Sequence, residues 1–293
     1  MAADVDSHAP APLHGRTFYL DRPIVAGRVW DLFAPPHGDA DAAIFFVHGG
    51  GWRSGTRSIF HPIIEPLVAR NIVCASCDYR LNDVTIADQI ADVREAYAQF
   101  IAYLSRNGKT TRPIVFGSSA GAHLALILAL AQPGACGETL PNDAALRDYA
   151  HVLPAGAAVV SAPLTCEPWD EIVPAIWNDI RRIVAVDHVE DPQAYRRVSP
   201  IEHIRDDAPP VLLMQAANED MFPQSLTDAF VSKMRSFGRQ VDCIEYANAE
   251  HGFFYDVIRP CQQHALRDLL TFIQQHGTMA DNTHAYERNT TAM

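Results

Sequence analysis

Ser119 lies between glycines in Gly117-Ser118-Ser119-Ala120-Gly121, and its flanks give the pentapeptide chemical meaning. The apolar run Pro113-Ile114-Val115-Phe116 precedes it, and Ala122-His123-Leu124-Ala125-Leu126-Ile127-Leu128-Ala129-Leu130 follows. A strand, a sharp turn and a buried helix form the setting of a nucleophile elbow, in which the serine stands at the C-terminal edge of the strand. Gly117 and Gly121 leave room where the backbone folds back on itself. A serine hydroxyl is a poor nucleophile until a base takes its proton, and the base needs a carboxylate to hold its tautomer. A second stretch suits the negative charge that such an attack creates. His48-Gly49-Gly50-Gly51-Trp52 follows the apolar strand Ala43-Ile44-Phe45-Phe46-Val47, and consecutive glycines can turn their amides outward without side-chain interference. His48, inside this motif, reads as a brace for the loop.

The chain has 13 histidines, and position separates them. His8, His14 and His284 lie in the tails, His123 and His264 within helical runs, and His188 and His203 in an inserted segment. His251 follows the last strand on a loop, with Gly252 allowing close approach, and is the candidate base. For the acid, Glu219 and Asp220 both follow the penultimate strand, and the chain order serine, acid, histidine suits either.

These residues need elements to carry them. Arg16 to Leu20 and Gly27 to Phe33 read as two strands joined by a turn through Pro23, and Asn71 to Cys77 as another. Ile86, Ile90, Val93, Tyr97, Phe100, Ile101 and Leu104 recur at helical steps, ending near Asn107-Gly108. Gln132 to Pro154 reads as an irregular excursion, and Ala157 to Ser161 as a strand. From Ala162 to Asp207 no strand is expected; a helical run over Ile172 to Val184 sits in what reads as a cap. Trp52, Trp169, Trp177 and Phe222 are the aromatic candidates for a substrate pocket, with packing of the cap itself the competing role for Trp169 and Trp177. Val211 to Met214 and Val241 to Tyr246 are strands, separated by a helix carrying Phe230 and Met234, and a last helix runs from about Cys261 to Gln275. Strands alternating with helices imply an α/β fold: a mostly parallel sheet covered on both faces, with an antiparallel edge. The loops after Val47, Phe116, Met214 and Tyr246 all leave the C-terminal edge of such a sheet, where sites form.

A chain of 293 residues at 48% hydrophobic fits one domain over residues 16–276, with a cap insertion at about 162–207. Residues 1–15 read as a flexible N-terminus. Residues 277–293 read as a loose tail, or as an arm for contacts in a homo-oligomer. A net charge of −12 without any cluster of lysine or arginine excludes a phosphate-tracking nucleic-acid surface. Met1 to Gly15 lacks a secretory pattern and no apolar run is long enough for a bilayer, so the expectation is a soluble, cytoplasmic protein with no membrane partner. Cys74 and Cys77 lie three apart on one strand and point to opposite faces, so they form neither a redox nor a zinc pair; neither metal nor cofactor is expected.

Taken together, His48 to Gly55, Asp78-Tyr79-Arg80-Leu81, the elbow and His251-Gly252-Phe253 resemble the α/β-hydrolase fold family. The resemblance is closest to bacterial esterases similar to hormone-sensitive lipase and to feruloyl and acetyl esterases, and it runs from about Val29 through the last helix. It implies Ser119 as nucleophile, His251 as base, and the amides of Gly50, Gly51 and Ala120 as oxyanion donors. Where relatives read H-G-x-x-D-x-x-x-P, this chain reads Gln215 to Pro223, which sets Glu219 on the acid and Asp220 on the position after it. The activity implied is that of a metal-independent serine carboxylesterase acting on a small-molecule ester, acetyl- or aryl-type, through an acyl-enzyme. Val84 to Ile90 also resembles kynurenine formamidases, although Asn82-Asp83 replaces their usual Pro-Glu, so an aryl-formamidase is a second expectation. A non-catalytic ligand-binding protein of the same fold is a third.

Overall fold

The computed structural model of the protein describes residues 22–23, 29–35, 40 and 42–277. The expected strand over Arg16 to Leu20, the N-terminal segment 1–15 and the tail beyond Gly277 lie outside the described residues. Eight strands form one sheet: β1 (Arg22–Pro23), β2 (Val29–Phe33), β3 (Ala42–Val47), β4 (Ile72–Cys77), β5 (Ile114–Ser118), β6 (Gly156–Val160), β7 (Val211–Asn218) and β8 (Val241–Glu250). Their order is β1-β2-β4-β3-β5-β6-β7-β8. β2 runs antiparallel to β1 and β4, and every pairing from β4 to β8 is parallel. Pro23, expected in a turn, instead pairs with Val29 in β1, an outermost strand where a missing N–H is tolerated.

Alternation along the central strands sends side chains to two separate cores. Phe45, Val47, Val115 and Cys77 face the helices α2 (Ile86–Arg106) and α3 (Ala120–Leu130). Ile44, Phe46, Ile114, Phe116 and Cys74 face α1 (His61–Val68) and α8 (Pro260–His276). Cys74 and Cys77 thus lie in different cores as free thiols, and burial pushes both well up. α3 is buried along its whole length, as its unbroken apolar sequence requires.

α1 was hidden in the sequence, as were α4 (Ala144–Ala150) and α6 (Pro192–Arg197). α1 follows a 3-10 turn over Arg57–Phe60, and the prolines at 62 and 66 mask its buried face of Ile63, Ile64, Leu67 and Val68. The stretch from Gln132 to Pro154 is not wholly irregular: it contains α4 (Ala144–Ala150), capped by Asp143, whose carboxylate accepts from the Leu146 amide at 2.9 Å. Only Ala150 of α4 is buried, so no apolar face announced it. The segment after β6 has no strand before β7; it carries α5 (Pro174–Val184) and α6 (Pro192–Arg197). α7 (Gln224–Ser236) then buries Phe230 and Met234.

Candidate active site

The elbow is built as its glycines demand. Ser119 has φ 54° and ψ −124°, a left-handed conformation forced by the abrupt passage from β5 into α3. A Cβ on Gly117 would stand 2.2 Å from the Gly121 carbonyl oxygen, and one on Gly121 would stand 2.1 Å from that of Val47. The strain is held by the sheet: the Ser119 amide donates to the Val160 carbonyl at 2.9 Å, and its own carbonyl accepts from His123 at 3.1 Å.

β8 runs four residues further than expected, to Glu250, and delivers His251 directly from its end. β7 likewise reaches Asn218, so Glu219 is the first residue beyond it. The Ser119 hydroxyl lies 2.9 Å from His251 Nε2, and Nδ1 of the same ring lies 2.8 and 3.1 Å from the two oxygens of Glu219. Ser119 donates to the imidazole, and the imidazole donates to the carboxylate. Asp220 stands exposed one residue on, and Glu219 alone of the two meets the ring. Burial pushes the Glu219 carboxyl up. The hydrogen bond and charge of His251, the Ser161 hydroxyl and the Met221 amide more than offset it and leave the group below its ordinary value.

Facing Ser119 is the glycine loop. Gly50 has φ 116°, and a Cβ there would meet the Ser54 carbonyl at 2.2 Å. Its carbonyl accepts from the Arg53 and Ser54 amides at 3.2 and 3.0 Å and from Ser54 Oγ at 2.9 Å. The N–H of Gly51 belongs to that same planar trans peptide, so fixing the carbonyl on one side fixes the N–H on the other. His48 is buried beneath: its Nδ1–H donates to the Gly49 carbonyl at 2.8 Å, and its ring stacks on Tyr79 with centroids 4.3 Å apart. Burial lowers its proton affinity despite the Gly49 carbonyl and the Asp78 charge. It is a neutral brace.

Sequence reasoning missed the residues that hold this loop from behind. The Tyr79 hydroxyl donates to the His48 carbonyl at 2.8 Å. Arg80 is clamped to buried Asp92 at 2.8 Å, which gives the Asp-Tyr-Arg-Leu stretch its purpose. Gln89 Nε2 donates to the carbonyls of Trp52 and Arg80 at 2.8 and 2.7 Å, fastening α2 to both. A glutamine at a core-facing step of α2, a helix that also buries Asp92 and Arg94, was the signal.

A cavity of about 380 Å³ opens over Ser119 and His251. Gly50, Gly51, Trp52, Ile176, Phe222 and Tyr255 are among its walls. Of the four expected pocket aromatics, Trp52 and Phe222 line it. Trp169 lies behind, its ring 5.9 Å from that of Phe222. Trp177 packs against Tyr195 and His188, at 5.4 and 5.9 Å, since α5 turns Ile176 and Asp179 to the cavity instead. Among the described residues, no group of histidine, cysteine and carboxylate side chains could hold a metal ion, and no helix is long and apolar enough to cross a membrane.

A family model described as BD-FAE matches residues 30–234. The chain belongs to the BD-FAE family. That match takes in the glycine loop, the elbow and Glu219, while His251 lies beyond its end. Esterase LipC of Mycobacterium tuberculosis is 31% identical over 251 residues, covering 81% of this chain and 59% of LipC. The probable carboxylic ester hydrolase LipM of the same organism is 29% identical, covering 72% of this chain and 49% of LipM. The chain therefore spans about half to three-fifths of the length of these curated relatives. The native structure of Thermogutta terrifontis esterase 2 aligns with a TM-score of 0.74 at 22% identity, over 94% of this chain and 97% of that one. The propionate-bound form of the same esterase aligns with a TM-score of 0.73 at 23% identity, over 91% of this chain and 96% of that one. The fold of this BD-FAE member is accordingly the α/β-hydrolase fold.

Proposed function

We propose that the protein is a serine carboxylesterase hydrolysing small acyl esters through an acyl-enzyme. The observation that carries the reading is the unbroken path from the Glu219 carboxylate through the His251 imidazole to the Ser119 hydroxyl, opposite a glycine loop whose peptides are pinned. Ser119 Oγ attacks the ester carbonyl carbon as its proton passes to His251 Nε2, and Glu219 stabilises the imidazolium that results. The carbonyl oxygen becomes an oxyanion, stabilised by the amides of Gly50, Gly51 and Ala120. Collapse breaks the bond to the alcohol oxygen, which leaves with the proton from His251. Water, giving its proton to the same nitrogen, then attacks the acyl-serine; collapse breaks the bond to Ser119 Oγ, which takes that proton back from His251 as the acid leaves.

A cavity of about 380 Å³ shared between acyl and alcohol groups favours short acyl chains. Its apolar walls at Ile176, Phe222 and Trp52 suit an acetyl- or aryl-type substrate. Residues 162–207, carrying α5 and α6, act in this reading as a cap. The named relatives are esterases and a carboxylic ester hydrolase, so neither the formamidase nor the non-catalytic expectation is carried forward. We also propose a cytoplasmic location, which six free cysteines, five of them buried, support.

The test is turnover of p-nitrophenyl esters from acetate to octanoate by the wild type and Ser119→Ala. Turnover is expected to fall with chain length and to drop on the order of 10⁵-fold in the variant. Undiminished hydrolysis by Ser119→Ala would overturn the proposal.

A further inference from the structure

We propose that Ser161 is a positioning residue for this hydrolysis, joining the loops of the acid and the base to the nucleophile elbow. The inference rests on the roles proposed above for Ser119, His251 and Glu219. Ser161 is the residue after β6, is 1% exposed and does not line the cavity. Its hydroxyl oxygen accepts from the Gly252 amide at 3.2 Å, the residue next to His251. Its own amide donates to the Met214 carbonyl at 3.2 Å, on the strand that ends at Glu219's neighbour. One residue earlier, the Val160 carbonyl accepts from the amide of Ser119. Two consecutive residues therefore touch the elbow, the acid's strand and the base's loop. Because the Ser161 oxygen accepts from Gly252, its own proton is available to a carboxylate. Against burial, which pushes Glu219 up, this hydroxyl acts after the His251 imidazole in drawing that carboxyl down.

The backbone argues that the hydroxyl, rather than the turn, is what this position needs. Ser161 has φ 49°, a conformation that glycine adopts freely and that disfavours side chains. A turn alone would be better served by glycine. A serine kept in a strained, buried seat points to its oxygen. Without that oxygen, the Gly252 amide loses a buried acceptor and Glu219 loses a donor. The imidazole then rests in a looser frame while the substrate cavity keeps its walls.

The test compares wild type, Ser161→Ala and Ser161→Gly on p-nitrophenyl acetate. It also follows the labelling rate of Ser119 by a fluorophosphonate, which needs the activated hydroxyl but no particular ester. Both variants are expected to lose about tenfold in kcat, the equivalent of one hydrogen bond to a charged group, with KM changed by less than about twofold. Labelling of Ser119 should slow in parallel with kcat. Ser161→Gly, relieved of the positive φ, recovers part of the stability that the lost hydrogen bonds cost and should melt above Ser161→Ala. If Ser161→Ala does not fold, the glycine variant decides. Wild-type kcat and labelling rate in Ser161→Gly would overturn the inference, since a purely structural serine predicts that result. A wild type that is labelled yet hydrolyses no ester would overturn the proposed activity, and the labelling comparison would still judge Ser161.

Discussion

At the C-terminal edge of the sheet, the chain is held by backbone hydrogen bonds and buried packing; at the mouth of the cavity, it is held by side chains. Ser119 is fixed through its amide to β6 and through its carbonyl to the first turn of α3, a helix with no exposed residue. α5, in the segment proposed as a cap, meets the glycine loop through Arg182, whose Nη2 donates to the Gly51 carbonyl at 3.1 Å, and through Asp179, 3.4 Å from Arg53 Nε. Arg53 is 62% exposed, and exposed ion pairs contribute about 0–1 kcal/mol. The inner frame can therefore hold one precise arrangement, while the outer one can adjust to what enters. Substitutions in the frame should lower kcat, and substitutions in the cap should alter KM.

The largest effect on that contrast should come from the acid. Glu219→Gln keeps the shape but no longer fixes the tautomer or stabilises the imidazolium, and kcat is expected to fall by about 10⁴-fold. Asp220→Asn, exposed and one residue away, should leave kcat near the wild-type value. Equal losses in the two variants would break the assignment. The same pair can be read in acid denaturation. Glu219 is held below its ordinary value, so the stability it contributes is complete above the unfolded carboxylate value of about 4.3 and is lost as pH falls through the lower folded value. Glu219→Gln should lack that part of the acid-induced loss, and circular dichroism melts between about pH 6 and pH 3 would detect the difference.

A smaller loss should follow from Ser54→Ala. The Ser54 hydroxyl is one of three donors to the Gly50 carbonyl, and two backbone amides remain when it is gone. The Gly51 N–H should stay in place but with less restraint, at a cost of about 1 kcal/mol, or roughly fivefold in kcat. KM for p-nitrophenyl acetate should hold steady, because the restraint matters most when the oxyanion has formed. A rise in KM at constant kcat would move Ser54 from the frame to the pocket wall.

The parts of the site legible in the sequence were those where a local rule leaves few options. Gly117 and Gly121 have no room for a Cβ, three glycines follow a buried strand, and a histidine follows the last strand. Each advertises itself within a few residues. The parallel sheet was legible for the same reason, from apolar runs punctuated by helices. What could not be read were contacts set by distant partners. Gln89 joining α2 to Trp52, Tyr79 reaching the His48 carbonyl and Ser161 meeting Gly252 follow from strand order, which no local pattern states. The strand ends were short for a related reason: β7 and β8 continue beyond their apolar runs into Gln215 to Asn218 and Ala247 to Glu250, where only Ala216 and Ala249 are buried. Trp177 shows the limit for side chains. Its type suited a pocket wall, but the rotation of α5 sends it to Tyr195.

The cap makes the gentlest test of the comparison. Arg182→Met keeps most of the apolar stem and removes the bond to the Gly51 carbonyl, an acceptor on the peptide after the one pinned by Ser54. If the cap only shapes the mouth, kcat on p-nitrophenyl acetate should stay within about twofold, and KM should rise by about two- to fivefold, the scale of one partly exposed charged contact. The rise should be larger for butyrate than for acetate, because a longer acyl group depends more on Ile176, which the same helix α5 carries into the cavity wall. A fall in kcat with unchanged KM would mean that the cap holds the oxyanion loop itself. The division between a rigid inner frame and an adjustable outer one would then have to be redrawn with α5 on the inner side.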